Sequence, residues 1–143
     1  MIEDVGRSLD PPTRWVSAPW QEPDLFGPLR EGLDGSCVRF LYELTHDGYA
    51  LRAIELLGHD EVPVAAASLA EFWKAQDYRH QPSTPATLAL ENQFGGVPEG
   101  SDRDWGDYPR TEITEAEFNR RWDHARSYLT EHPRNTHFAP GAD

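Results

Sequence analysis

The chain has 143 residues, 38% hydrophobic and 11% aromatic, which is the make-up of one compact domain able to bury about two thirds of the surface its unfolded form exposes. Thirteen basic against 25 acidic residues leave a formal charge of -12, the wrong sign for gripping a phosphate backbone or an anionic bilayer, so nucleic acid and membrane drop out as partners. No stretch approaches the roughly 20 apolar residues of a membrane span, residues 1–10 lack a basic or apolar leader region, and the single cysteine, Cys37, can form no internal disulfide; a cytoplasmic location is expected.

Residues 1–36 contain Pro11, Pro12, Pro19, Pro23 and Pro28 with four glycines, and are read as an irregular arm. Trp15, Val16, Trp20, Leu25, Phe26 and Leu29 make that arm too apolar for a disordered tail, so it is expected to pack over the domain or a partner.

Residues 37–131 are read as the α+β core. Cys37 to Leu57 forms two β-rich runs around His46-Asp47-Gly48, a hairpin signal. A two-residue turn sets Glu43 opposite Arg52; a three-residue loop with Gly48 left-handed sets Arg39 opposite Glu55. The second register is preferred, because it gathers Val38, Phe40, Tyr42 and Leu44 with Ala50, Ile54 and Leu56 on one face, interrupted only by Arg52. Val62 to Ala66 reads as a third strand. Ser68-Leu69-Ala70-Glu71 is a capping box that predicts a helix of about two turns. At Thr84-Pro85 the pattern allows a helix with proline in its first position, while Leu88 and Leu90 also alternate as in a strand; Gly95-Gly96 ends either one.

The clearest local signal is Thr114-Glu115-Ala116-Glu117, a capping box flanked by Ile113 and Phe118 as a hydrophobic staple. Phe118, Trp122, Ala125 and Leu129 then form one apolar stripe that should lie on the sheet, with Trp122 buried at its centre, and His132-Pro133 marks the helix end. Residues 132–143 read as a loose tail. The expected fold is therefore α+β: a short antiparallel sheet packed against a C-terminal helix, with the Pro/Trp-rich arm wrapped around it.

Two blocks, Glu43-Leu44, Asp47-Gly48-Tyr49, Arg52, Ile54-Glu55 and Glu112-Ile113-Thr114, Glu117-Phe118, Trp122, make the chain resemble a family of small bacterial domains of unknown function found often in actinobacteria. Twelve arginines beside one lysine, as in GC-rich genomes, agree with that source. The resemblance implies an antiparallel sheet carrying a C-terminal helix and brings no activity and no catalytic residues. The longer arm and the stretch from Ala67 to Arg110 depart from the pattern.

Asp102, Asp104 and Asp107, near Glu99 and Glu112, offer hard oxygen ligands, but an EF-hand counted from Asp102 would need glycine at Asp107 and glutamate at Ile113, so the reading is a solvated acidic loop. His124, His132 and His137 fit no metal-binding helix motif, His46 and His59 fall in turns, and Cys37 has no nucleophile motif around it. No metal and no cofactor are implied. Arg39, Glu43, Arg52 and Glu55 alternate on paired strands and read first as sheet ion pairs. Arg52 stands out, because an unpaired charge on an apolar face would be costly.

Trp15, Trp20 and Trp105 fall in expected loops beside acids, where aromatics serve as interface anchors. The expected function is thus a non-catalytic binding protein, of the inhibitor or immunity kind, that meets a basic protein partner with Trp15, Trp20, Asp102, Asp104, Trp105, Asp107 and Tyr108. The alternative is a small cofactor-free enzyme of specialised metabolism, with a Trp/Tyr-lined pocket for a small molecule and an acid-base group drawn from Glu43, Arg52, Glu55 or His124.

Overall fold

The computed structural model describes residues 10–20, 38–75, 85–98, 100–104 and 109–132. Strands β1 (Pro12–Trp20), β2 (Val38–Thr45), β3 (Ala50–Leu57), β4 (Val62–Ser68) and β5 (Thr111–Glu112) form an antiparallel sheet in the order β4-β3-β2-β1-β5. Helices α1 (Leu69–Ala75), α2 (Pro85–Phe94) and α3 (Glu115–Glu131) complete an α+β fold, with the C-terminal helix packed on the sheet.

The irregular-arm reading is corrected at Pro12–Trp20, which is an inner strand between β2 and β5. Its prolines sit where a strand tolerates them. Pro12 is the first residue. Pro19 lies four residues beyond Trp15, whose carbonyl accepts from Ile113 on the β5 side, so the missing N–H of Pro19 points away from β2 where β5 no longer runs. Between them Trp15 and Ser17 face one side of the sheet while Val16 and Ala18, both buried, face the other. Proline content masked a strand whose alternation was present in the sequence.

The hairpin combines both expected registers. Gly48, at φ +89°, closes a three-residue loop in which its N–H donates to Thr45 O at 2.9 Å, and Leu44 pairs with Ala50. A bulge then leaves Leu51 as an extra residue, and beyond it Glu43 pairs with Arg52. The preferred register is corrected over most of the strand: Arg39 lies opposite Leu56, not Glu55. The single apolar face is corrected with it. Leu41, Ile54 and Leu56 pack toward α3, whereas Tyr42, Leu44 and Ala50 pack with Val16 on the opposite face. Both faces of the inner strands are covered, so nothing forces the apolar side chains onto one of them.

Both helix starts fall where the capping boxes place them, with the hydroxyl half of each bond pattern in place, while the Glu71 and Glu117 carboxylates accept from arginines. Thr114 caps α3 by accepting from Glu117 N at 3.0 Å, and Ser68 accepts from Glu71 N at 3.4 Å at the start of α1. Pro85 opens α2 as a helix, and Gly95, at φ +86°, ends it by donating to Glu91 O. Along α3, Phe118, Ala125 and Leu129 are fully buried against Leu41, Ile54, Leu56 and Ala66. Trp122 is half-buried rather than buried, and the Arg52 and Arg126 guanidiniums lie over its ring at 5.0 and 4.6 Å. Arg126 also donates to Ala66 O at 2.9 Å, placing a charged side chain along edge strand β4, which discourages pairing with another chain.

Gly48 is constrained twice. A Cβ there would collide with Oδ1 of Asp102 and stand 2.7 Å from Ser101 Oγ, on a backbone that L-residues adopt at a cost of about 1–2 kcal/mol. Gly48→Ala is expected to lower stability by more than that backbone term alone, about 2 kcal/mol or more in urea unfolding. It should also raise hydrogen exchange at Asp102 N. A loss below about 0.5 kcal/mol would contradict the close approach.

Candidate functional site

Glu43 and Arg52, named as acid-base candidates on separate strands, form one unit with Trp15, named as a surface anchor. The Arg52 Nε and Nη2 donate to Oε1 and Oε2 of Glu43, each at 2.7 Å, and Trp15 Nε1 donates to Oε2 at 3.0 Å. Asn119 on α3 accepts a further Nη2 bond at 2.7 Å. Rings of Phe118 and Trp122 stand 4.9 and 5.0 Å from the guanidinium carbon. The side chains are 8% and 21% exposed, so this is an ion pair largely out of water.

Arginine suits that position because its planar, weakly hydrated head bonds a carboxylate bidentately while its faces rest on aromatic rings. Both Glu43 oxygens already accept bonds, which makes the pair a poor proton shuttle and a good tie between strands and helix. Trp15 is corrected from a loop anchor to a strand residue packed against the core. Asn119 was not foreseen. It sits 67 residues from Arg52 with no motif around it.

The remaining acid-base candidates lie apart. Glu55 is half-buried on the sheet face away from α3, and His124 is exposed on α3, off the Phe118–Leu129 stripe. Trp20 belongs to β1, correcting its expected loop placement, though nothing is described of its side chain. Trp105, Asp107, Tyr108, Cys37 and His137 lie outside the described residues. Among the described residues no three His, Cys, Asp or Glu side chains gather as a metal-holding group.

Asp102 corrects the solvated-loop reading, being only 1% exposed. Its Oδ2 accepts from Arg14 at 3.3 Å and from Arg110, while its backbone N donates to Gly48 O at 2.8 Å. Ser101 bridges to Tyr49 and donates its hydroxyl to Asp47 O at 2.6 Å. A buried carboxylate needs such partners, and two guanidiniums on one oxygen supply the charge compensation. Asp102 Oδ1 faces Gly48 with no hydrogen-bond partner among the described residues.

The clamp seats residues 100–104 on the hairpin turn. Asp47 and Asp104 are exposed there, Asp10 precedes the strand residue that pairs with Thr45, and Tyr49 between them is 50% exposed. The exposed residues at this end of the sheet thus include Asp10, Asp47, Asp104 and Tyr49, together with Arg103. Of the expected anchors only Asp104 is described on that surface. In the sequence Asp47 and Tyr49 read only as hairpin residues and Asp10 carries no role, because their placement at one end of the sheet arises from the pairing of β1, β2 and the 100–104 loop.

Arginine pairing sharpens this pattern. Among the described residues, Arg14, Arg39, Arg52, Arg110, Arg120, Arg121 and Arg126 pair with the carboxylates of Glu43, Glu61, Glu71, Asp102 and Glu117. Hydrogen bonding from Arg121 holds the Glu61 carboxyl below its ordinary pKa, with Arg39 adding to the effect. Glu117 is lowered likewise by Arg121 and Arg120, and Arg121 is raised by Glu61 and Glu117. Comparison with family models, with curated proteins and with solved structures finds no match to the chain, so the geometry carries the functional argument.

Removing one member of the Glu43–Arg52 pair strands a charge under α3. Glu43→Leu is expected to cost about 3–5 kcal/mol, and the double variant with Arg52→Met clearly less, since no charge then remains buried. Additive losses in urea unfolding would show that the two charges act independently. Glu61 and Glu117 predict a pH dependence of definite sign. Their folded pKa values are depressed, so the stability they add is complete above the unfolded pKa and is lost as pH falls through the folded one. Glu61→Gln should flatten the acid limb of stability against pH, and an unchanged limb would contradict the assignment.

Proposed function

We propose that the protein is a non-catalytic binding module that presents an acidic, aromatic face to a basic protein partner, as inhibitors and immunity-type proteins do. The observation that carries this reading is the end of the sheet where exposed Tyr49 lies with three exposed acids, Asp10, Asp47 and Asp104, against one exposed arginine, Arg103. The chain as a whole carries a formal charge of -12, so a partner of opposite charge is attracted at long range. Charge of one sign on a firm scaffold raises association rates with a partner of opposite charge, and a half-exposed tyrosine supplies an anchor inside the polar rim. Asp102 serves this face as its support and not as a contact.

The enzyme reading has weaker support. Glu43 and Arg52 are engaged with each other, and His124 stands apart from them on the helix surface, which leaves Glu55 from its acid-base set.

The test is capture from a native lysate by the wild-type chain and by Asp10→Asn/Asp47→Asn/Asp104→Asn, followed by binding kinetics with the captured protein. A basic partner should be lost or much reduced with the triple variant. Its association rate should fall as salt rises, while Tyr49→Ala should speed dissociation. A partner held equally by wild type and triple variant, with no salt dependence, would sink the proposal.

A further inference from the structure

The β2–β3 turn carries Asp47-Gly48, a pair in which the side-chain carboxyl is open to attack by the next backbone nitrogen, because glycine has no Cβ to shield it. In that reaction Gly48 N bonds to Asp47 Cγ, and the amide proton and the carboxyl hydroxyl leave as water. The resulting succinimide takes water back at either carbonyl. One opening restores aspartate, and the other gives isoaspartate, in which the backbone runs through Cβ and Cγ of residue 47. Water is the sole co-reactant, and Asp47 is exposed to it.

The folded hairpin holds the pair away from this reaction. Gly48 N donates to Thr45 O at 2.9 Å, closing a turn in which neither His46 nor Asp47 has positive φ. This leaves the type I turn, with ψ of about 0° at Asp47, whereas ring closure needs Cβ, Cα, C and the Gly48 nitrogen nearly coplanar, a rotation of about 120° away. Both peptide groups flanking Gly48 are fastened at each end. Ser101 Oγ donates to Asp47 O at 2.6 Å, Asp102 N donates to Gly48 O at 2.8 Å, and Tyr49 N donates to Thr45 Oγ1 at 3.1 Å. Turning the Asp47–Gly48 peptide breaks the bonds from Gly48 N and Ser101 Oγ together, and the Asp102 carboxylate packs against Gly48 as well. Half of these restraints therefore come from a segment more than 50 residues away.

We propose that Asp47-Gly48 is a latent isomerisation site guarded by the 100–104 segment. While Ser101 and Asp102 sit on the turn, residue 47 stays an ordinary aspartate; when they leave, it converts to isoaspartate. The product has one more backbone carbon in the turn and no longer matches the spacing of the four bonds, so the segment would not reseat. The reaction needs no partner, and the inference stands independently of the proposed binding function although Asp47 belongs to that face.

The experiment incubates the full chain at neutral pH, folded and in urea, and measures isoaspartate at residue 47 by peptide mapping with protein isoaspartyl methyltransferase as the probe. Asp34-Gly35, the other Asp-Gly pair of the sequence, is followed in the same maps. Asp47 should isomerise in urea and at least about tenfold more slowly in the folded chain, since the reacting atoms are there held out of line. At low urea the folded rate should rise less steeply than global unfolding does, as expected of a local opening. Ser101→Ala should speed the folded reaction at Asp47 about tenfold and leave Asp34 unchanged. If circular dichroism shows that Ser101→Ala does not fold, Arg14→Gln, which takes one guanidinium from Asp102, carries the same expectation. The proposal is overturned by absence of isoaspartate at residue 47 in urea, by equal rates folded and unfolded, or by a folded rate that tracks global unfolding. A folded variant that leaves the Asp47 rate unchanged, or that speeds Asp34 as much, overturns it too.

Discussion

The fold is organised around the Glu43–Arg52 ion pair. It joins β2 to β3, reaches β1 through the Trp15 indole and α3 through Asn119, and lies against Phe118 and Trp122 at the start of the apolar stripe. A bidentate pair shielded from water is unforgiving of a lost partner: the expected cost of about 3–5 kcal/mol is a large share of the about 5–15 kcal/mol by which a domain is usually stable. Such a pair contributes position more than net stability, because it fixes which residue faces which.

Register follows from that requirement. A loop closed on Gly48 would, without a bulge, carry Arg52 out of line with Glu43. The extra residue Leu51 moves the pairing by one and brings the two charges opposite each other. The same bulge brings Ile54 and Leu56 onto the face of Leu41, toward the helix, and Ala53 onto the opposite face with Phe40 and Tyr42. One local irregularity thus shapes both faces of the sheet.

Asp102 performs a comparable task at the hairpin end. Arg14 and Arg110 hold its carboxylate, Gly48 leaves room for it, and the 100–104 segment is fastened across the turn. The proposed acidic face rests on that buried acid, which shows that position in an acidic run says little about role. Asp102 and Asp104 are two residues apart, yet one is buried with two guanidiniums and the other is exposed.

By itself the sequence determined the elements whose signals are local. The Thr114 and Ser68 caps, proline opening α2, glycine in the hairpin turn and the 3.6-residue stripe on α3 all act within a few residues, where backbone geometry and nearby side chains suffice. It also contained the alternation of β1, but its prolines argued the other way, because whether a missing N–H matters depends on which strand lies beside it. Both hairpin registers were legible, and the choice between them was not, since it depends on Asn119, Phe118 and Trp122, more than 60 residues distant. The burial of Asp102, the pairing of seven arginines and the exposed setting of Tyr49 were decided only by tertiary structure. Charges interact according to distance and solvent exposure, and neither quantity exists until the chain has folded.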